Sequence, residues 1–318
     1  MTIRKMLLAF IALLWGSLAW AQAYPSKPIH YIVPFAAGSS IEVLSRIALE
    51  NISQRTGALF VVESKPGALG QIGMELVAKA APDGYTIMPS SSATHSSGPQ
   101  LTKLKLPDPM SAYTHLSSIC RFDLLLLVNA ASGIKTPAQL VALAKTRKLN
   151  FGYGSATGQV GASAAARALG IGDDVVGAAY KGQPLAVNDL LGGHIDFVAS
   201  DIAAAAPHLR SGKLNALGVT GEKRSGLFPD VPTLTEQGVK VEVIGWVGVS
   251  GPAGLPEEVR NWWARQINLA LNDPVVQEKY KVMGFESMYV AGPAFQQMVA
   301  SQFQTWGRYI REAGLTPQ

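Results

Sequence analysis

Residues 29–88 read IHYIVPFAAGSSIEVLSRIALENISQRTGALFVVESKPGALGQIGMELVAKAAPDGYTIM, and the order of elements in this stretch decides the fold class. Short apolar runs alternate with segments in which apolar residues recur every three or four positions. Glycine and proline separate these segments. The pattern predicts strands at 29–34, 59–62 and 85–88, and helices at 41–53 and 74–81. Strands that alternate with helices pair in parallel, so we expect an α/β protein.

The same alternation continues to the C-terminus. Further strands are predicted at 124–128, 150–153, 195–199, 216–220 and 241–249, and further helices at 159–169, at 186–191 and from Pro256 onward. The extended segments 124–128 and 241–249 bracket a central αβ block, which predicts one domain inserted into another. We expect domain I at 24–123 plus 242–318 and domain II at 124–241. The length of the chain suits two domains.

The first 23 residues have the pattern of a secretory signal peptide. Arg4 and Lys5 precede the apolar run 6–20, and small residues suited to cleavage follow. The run is shorter than the roughly 20 residues that a membrane span needs. We therefore expect export to the periplasm with cleavage near Ala21 or Ala23. The alternative is an uncleaved N-terminal anchor.

Composition and charge argue against several classes of protein. Hydrophobic residues make up 48% and charged residues 15% of the 318, so a large core is possible and disorder is not expected. The net charge is +5 and falls to +3 without Arg4 and Lys5. The remaining basic residues are dispersed along the chain, which gives no support to nucleic-acid binding.

Three loops that follow predicted strands are rich in Gly, Ser and Ala. They are 34–40, 89–96 and 152–158. Ligands bind at the carboxyl ends of strands in open α/β sheets. Helix N-termini there carry amides without intrahelical partners and can bind an anion, and hydroxyls can donate to a carboxylate without adding charge. The alternative for Ser40 is that it only caps its own helix.

Motifs for catalysis, cofactors and metals are weak. Residues 152–158 have the spacing G-x-G-x-x-x-G, which departs from the dinucleotide fingerprint. None of the five histidines stands in a metal-binding spacing, and no G-x-S-x-G elbow occurs. Ser91 or Ser92 with His95 could suggest a hydrolase, but no acid can be placed beside them. We expect no cofactor, no metal and no enzymatic activity.

Several ordered motifs resemble the Bug family of periplasmic solute receptors, which serve tripartite tricarboxylate transporters. The resemblance covers nearly all of the chain after residue 23. Its motifs are YPSKPI at 24–29, VPF at 33–35, AAPDGYT at 80–86, YKG at 180–182, DLLGG at 189–193, PDVPT at 229–233 and GPAG at 251–254.

This resemblance implies a type II periplasmic-binding-protein fold with two αβ domains and a hinged interdomain cleft. It implies that a small carboxylate is held there by main-chain and hydroxyl donors. The implied ligand-binding residues are Phe35, Ala37, Gly38, Ser39, Ser40, Ser91, Ser92, Thr94, His95, Ser155, Ala156, Thr157, Gly158, Gln159 and Asp201. Asp201 has the alternative role of capping the helix at Ile202. Glu42 departs from the family, which commonly has Asp there.

The sequence therefore predicts a monomeric periplasmic receptor. We expect it to bind an aliphatic or aromatic mono- or dicarboxylate and to deliver this ligand to the permease subunits of a tripartite tricarboxylate transporter. Two alternatives stay open at this stage: an exported serine-type hydrolase, and a solute receptor for a two-component sensor.

Overall fold

The computed structural model describes residues 24–317. The expected signal peptide, residues 1–23, lies outside the described residues, and so does Gln318. No helix within 24–317 combines the length and the hydrophobicity needed to cross a bilayer.

Within residues 24–317, ten strands form one connected, mixed sheet. In chain order they are β1 (Ile29–Val33), β2 (Phe60–Ser64), β3 (Thr86–Ser91), β4 (Tyr113–Asn129), β5 (Leu149–Tyr153), β6 (Val175–Ala179), β7 (Phe197–Asp201), β8 (Leu214–Val219), β9 (Ile244–Pro252) and β10 (Glu286–Ser287). The order across the sheet is β2-β1-β3-β9-β4-β7-β5-β6, and β8 and β10 both pair with β4.

The part of the chain that the structure describes also contains ten α-helices and several short helical turns. The α-helices are α1 (Ser40–Thr56), α2 (Gln71–Ala78), α3 (Gly98–Leu101), α4 (Pro137–Ala144), α5 (Ala156–Ala168), α6 (Gln183–Leu191), α7 (Ile202–Arg210), α8 (Glu257–Leu271), α9 (Pro274–Val282) and α10 (Gly292–Glu312). A π-helical segment (Ser92–Ser97) follows β3 directly. Single 3₁₀ turns lie at Ala68–Gly70, Ala130–Ser132, Gly172–Asp174 and Thr235–Gln237.

The parallel pairing expected from residues 29–88 is confirmed. β1 pairs in parallel with both β2 and β3, and β5 pairs in parallel with both β6 and β7. The whole sheet is not parallel, because β3 pairs antiparallel with β9, and β4 pairs antiparallel with β7, β8, β9 and β10.

Strand β4 joins the two groups of parallel strands. Its first part, Tyr113–Asp123, pairs with β9. Its second part, Leu124–Asn129, pairs with β7 and β8. The pairing partner therefore changes between Asp123 and Leu124, where the sequence predicted a domain boundary. The division into domain I (24–123 plus 242–318) and domain II (124–241) stays a prediction.

Aromatic and aliphatic side chains of the C-terminal helices fill much of the core. Trp263 of α8 is fully buried, as are Phe295 and Trp306 of α10. Both helices carry apolar side chains at helical spacing, which is typical of a helix face that packs on a core. The core thus holds the strands whose ends form the cavity described next.

Candidate functional site

A cavity lies where the loops after five strands meet. It comprises about 560 Å³ of space between protein atoms, its open mouth included. The loops follow β1, β3, β5, β6 and β7, the strand ends at which α/β proteins bind ligands. The lining residues are Phe35, Ser39, Ser40, Ile41, Ser91, Ser92, Ala93, Phe122, Leu124, Gly154, Ser155, Thr157, Gly158, Gln183, Ala199, Ser200, Asp201 and Phe285.

Four helix-capping residues line this cavity. Ser39 caps α1, Ser91 caps the π-helical segment, Ser155 caps α5 and Asp201 caps α7. Gln183, the first residue of α6, lies there as well. A helix N-terminus carries about half a positive elementary charge. Several such ends around one cavity contribute positive partial charge to it without any basic side chain.

Backbone amides at two of these helix starts can serve as donors. Within residues 24–317, the amides of Ser40, Ile41, Ala156 and Thr157 make no hydrogen bond to the protein. Ser40, Ile41 and Thr157 line the cavity. The amide of Ser39 is already used, because it donates to the Ala36 carbonyl at 3.1 Å. The available amides at α1 are therefore those of Ser40 and Ile41.

Two side-chain hydrogen bonds cross the cavity. The Ser40 hydroxyl donates to Asp201 Oδ1 at 2.7 Å, and the hydroxyls of Ser92 and Thr157 lie 3.0 Å apart. Ser40 follows β1 and Ser92 follows β3. Thr157 lies after β5 and Asp201 ends β7, so both belong to the second group of parallel strands, β5, β6 and β7. These contacts hold the two sides of the cavity together.

Asp201 is the one ionisable side chain among the residues that line the cavity. Burial raises the pKa of its carboxyl group, and the hydrogen bonds from Ser40 and from the Ala204 amide oppose that rise. The lining contains no Lys, Arg or His. Every donor that faces the cavity is therefore a neutral amide or hydroxyl.

The cavity brings together nine of the residues that were expected to bind a ligand. They are Phe35, Ser39, Ser40, Ser91, Ser92, Ser155, Thr157, Gly158 and Asp201. The other six do not line it: Ala37, Gly38, Thr94, His95, Ala156 and Gln159.

The local geometry explains why these six lie elsewhere. Ala37 and Gly38 form an exposed turn; Gly38 has a φ of +79° and donates its amide to the Glu42 carboxylate at 2.7 Å. Thr94 and His95 are fully buried. Ala156 and Gln159 are buried within α5. These residues support the loops rather than face the cavity.

Comparison with known proteins identifies the family. Residues 44–315 match the family described as the tripartite tricarboxylate transporter family receptor. The chain belongs to this family. BugT of Bordetella pertussis is 32% identical over 303 residues, which cover 92% of this chain and 91% of BugT.

Solved structures give the fold of this family member. The periplasmic binding protein BugD matches with a TM-score of 0.87 and 29% identity, covering 93% of this chain and 100% of BugD. The R. palustris protein Rpa4515 with adipate matches with a TM-score of 0.88 and 25% identity, covering 93% of this chain and 100% of Rpa4515. These matches confirm the Bug resemblance and the two-domain periplasmic-binding-protein fold.

In the part of the chain that the structure describes, the serines expected of a hydrolase do not contact His95. His95 Nδ1 contacts Thr94 Oγ1 at 2.9 Å. Among the described residues, neither Ser91 nor Ser92 hydrogen-bonds to His95. Burial lowers the pKa of His95, and the nearby His115 lowers it further. The Ser–His pairing considered from the sequence is therefore not formed by these residues. The histidine that does contact a serine is His115, 2.9 Å from Ser250 Oγ, and its other ring nitrogen lies 3.0 Å from the Pro109 carbonyl rather than beside an acid.

Sequence reasoning missed the apolar side of the cavity and part of its polar side. The lining residues that were not named individually are Ile41, Ala93, Phe122, Leu124, Gly154, Gln183, Ala199, Ser200 and Phe285. Of these, Ala93 and Gly154 lie within the predicted ligand loops 89–96 and 152–158. The Tyr180-Lys181-Gly182 motif stands just before Gln183 and could have pointed to that loop. Phe122 and Phe285 lie outside the Gly/Ser-rich loops, so no local signal marked them.

Proposed function

We propose that this protein is a periplasmic solute receptor that binds a small organic carboxylate in the cleft between domain I (24–123 plus 242–318) and domain II (124–241). The observation that carries the proposal is the convergence of helix N-termini and hydroxyls on one cavity without a basic side chain. Such donors stabilise a negative charge through oriented dipoles and hydrogen bonds. The family membership of the chain supports the same function.

The carboxylate is held by donors from both sides of the cavity. Two kinds of group donate, and all of them lie on lining residues. They are the amides of Ser40, Ile41 and Thr157 and the hydroxyls of Ser92 and Thr157. Ser39, Ser91 and Ser155 cap the helices that position these amides. Asp201 adds an acceptor, which suits a donor group on the ligand or a bridging water.

Ligand binding is coupled to closure of the two domains around a hinge. The contacts Ser40–Asp201 and Ser92–Thr157 join residues of the two proposed domains and therefore belong to the closed form. Neutral donors suit a receptor that must also release its ligand. An ion pair between the ligand and a buried cation would have to be broken each time the cleft opened.

The receptor works as a monomer in the periplasm and passes its ligand to membrane permease subunits of a tripartite tricarboxylate transporter. The signal peptide is cleaved near Ala21 or Ala23. The family description and the periplasmic binding protein BugD support this location and partner. Binding involves no chemical change of the ligand.

Isothermal titration calorimetry against a library of organic acids tests the proposed function. The library includes adipate, because the similar protein Rpa4515 was solved with that dicarboxylate, together with aliphatic and aromatic mono- and dicarboxylates. Neutral amides of the same carbon skeletons serve as controls. We expect at least one carboxylate to bind and its amide not to bind. A library without any binding acid, or an amide that binds as tightly as its acid, contradicts the proposal.

A further inference from the structure

The turn between β1 and α1 is held by an acidic side chain that does not line the cavity. Glu42, in the first turn of α1, accepts the Gly38 amide on its Oε2 atom at 2.7 Å. The Glu42 side chain is only 7% exposed, and it is not among the lining residues. The direct contacts of Glu42 are therefore with the turn rather than with the cavity.

The contact between Glu42 and Gly38 differs from an ordinary capping box. In a capping box, the acid at the third helical position accepts the amide of the cap residue. The cap here is Ser39, and its amide donates to the Ala36 carbonyl at 3.1 Å. Glu42 instead accepts the amide one residue earlier, on Gly38, where a φ of +79° favours glycine. Two hydrogen bonds thus fix the shape of the turn 36–40 just before the amides that can bind a carboxylate.

The same turn faces the second group of parallel strands. The Ser40 hydroxyl donates to Asp201 Oδ1 at 2.7 Å. A Cβ atom at Gly182 would lie 3.1 Å from Ala36 Cβ, so the loop after β6 also approaches the turn closely. A shift of the turn 36–40 would therefore change both the amide donors and the contacts that cross the cavity.

The charge of Glu42 is unfavourable for an anion site unless it is compensated. The N-terminus of α1 carries about half a positive elementary charge, and the carboxylate of Glu42 lies in the same helical turn. An uncompensated acid there would repel the carboxylate of a ligand. Arg46 provides the compensation, because its Nε and Nη2 atoms lie 2.8 and 2.6 Å from Glu42 Oε1. Arg46 does not line the cavity and so acts from outside it.

We propose that Glu42 and Arg46 are positioning residues for carboxylate binding. Glu42 fixes the turn 36–40 and so keeps the first amides of α1 available to the ligand. Arg46 offsets the charge of Glu42 at that helix end. This inference rests on the proposed function and names two residues outside the cavity that determine its affinity.

Two replacements of Glu42 test its role by calorimetry at pH 7.5. The probe is the library acid that binds the unchanged protein most tightly, with adipate, hexanoate and benzoate tried first. Glu42→Ala removes the acceptor of the Gly38 amide and should weaken binding at least about tenfold. Glu42→Gln keeps an oxygen for this contact and should stay within about threefold of the unchanged protein. Glu75→Ala is the control, because Glu75 forms the corresponding pair with Lys79, 2.6 Å apart, on α2 and away from the cavity.

The charge-compensating role of Arg46 predicts an effect that a purely structural role would not produce. Arg46→Gln leaves the charge of Glu42 uncompensated. Its affinity relative to the unchanged protein should fall about fivefold in dilute salt and recover towards 0.5 M NaCl, because salt screens the repulsion. The double variant Glu42→Gln with Arg46→Gln carries neither charge and should bind within about threefold of the unchanged protein.

Each part of the proposal has a result that overturns it. A folded Glu42→Ala variant that binds as tightly as the unchanged protein, or a Glu42→Gln variant that loses as much affinity as Glu42→Ala, overturns the role of Glu42. An effect of Arg46→Gln that is independent of salt, or a double variant that is weaker still, overturns the role of Arg46. If Glu42→Ala does not fold, the Arg46→Gln and double variants decide the matter. If no library carboxylate binds the unchanged protein, the proposed function fails and the positioning fails with it.

Discussion

Ser92 lies where the two sides of the cavity meet. Its side chain is fully buried, and its Oγ lies 3.0 Å from Thr157 Oγ1. A serine hydroxyl can rotate, so this group can turn from Thr157 towards a bound carboxylate. Its position makes Ser92 the hydroxyl whose loss should affect binding most.

Replacing Ser92 by Ala should lower carboxylate affinity about tenfold, because one hydrogen bond to a charged group contributes about 1.5 kcal/mol. Ser96→Ala is the matched control. Ser96 is equally buried in the same π-helical segment but does not line the cavity. Calorimetry on both variants checks the prediction. A loss of affinity in Ser96→Ala as large as in Ser92→Ala would show that the segment, rather than the hydroxyl, is responsible.

Asp201 combines a structural and an electrostatic role. Its Oδ1 accepts the Ala204 amide at 3.1 Å and so caps α7. The same oxygen accepts the Ser40 hydroxyl. The capping role considered from the sequence is thus confirmed, whereas a contact with the ligand stays a prediction.

Asp201→Asn should strengthen binding of a simple monocarboxylate by at least about threefold, because it removes a like charge from the cavity. Asn caps helices about as well as Asp, so the free energy of unfolding should change little. Calorimetry with hexanoate and urea unfolding test both points. A tenfold weaker affinity would mean that the carboxylate of Asp201 accepts a hydrogen bond from the ligand.

At the scale of elements, local patterns predicted most of the framework. Capping signals at helix starts are of this local kind: Thr136 caps α4 and Asp273 caps α9, and each is followed by a proline at the first helical position. The start of α1 was also predicted, with Ser39 acting as the cap. These features depend on a few neighbouring residues, so the sequence alone reveals them.

Elements that depend on distant partners were harder to predict. Only 124–128 of the 17-residue strand β4 was predicted, because its first half mixes polar and apolar residues that are buried by pairing with β9. Strand β6 has the weak strand composition VVGAA and was missed. The π-helical segment was not predicted either, because most of it lies in the serine-rich stretch 89–96, which was interpreted as a loop.

The junction between β5 and α6 depends on a glycine. A Cβ atom at Gly154 would lie 2.0 Å from the Gln183 amide nitrogen, and this neighbour is backbone. Gly154→Ala should therefore lower the free energy of unfolding by about 2 kcal/mol or more. Urea unfolding measures this change. Gly226→Ala is the control, since a Cβ atom there meets nothing within 4 Å. Equal stability of the two variants would contradict the close packing at this junction.

At the scale of the whole molecule, the cavity could be predicted only in part. Its polar side comes from Gly/Ser-rich loops that stand out in the sequence. Its apolar lining includes Phe122 and Leu124 of β4 together with Phe285, which is more than 150 residues away in the chain. These side chains come together only after the sheet has formed, and no local pattern can indicate that.

Two buried histidines should make the stability of the whole protein depend on pH. Burial lowers the pKa of His115 to about 4 and lowers that of His95 as well. The unfolded chain binds protons more readily, so stability is full above about pH 6.5 and falls as the pH drops towards 4. His115 alone should make unfolding about 2 kcal/mol easier at pH 5 than at pH 7.5.

Urea unfolding at the two pH values checks this expectation. His115→Gln should reduce the difference between pH 7.5 and pH 5. His194→Gln should not, because His194 is exposed. A protein that is as stable at pH 5 as at pH 7.5 would contradict the burial of these two side chains.

A crystal structure with the carboxylate that binds most tightly tests the central claim most directly. We predict that the ligand carboxylate lies within hydrogen-bonding distance of the Ser40, Ile41 or Thr157 amides and of the Ser92 hydroxyl. A carboxylate bound elsewhere, for example beside Arg121, which does not line the cavity, would contradict the proposed site.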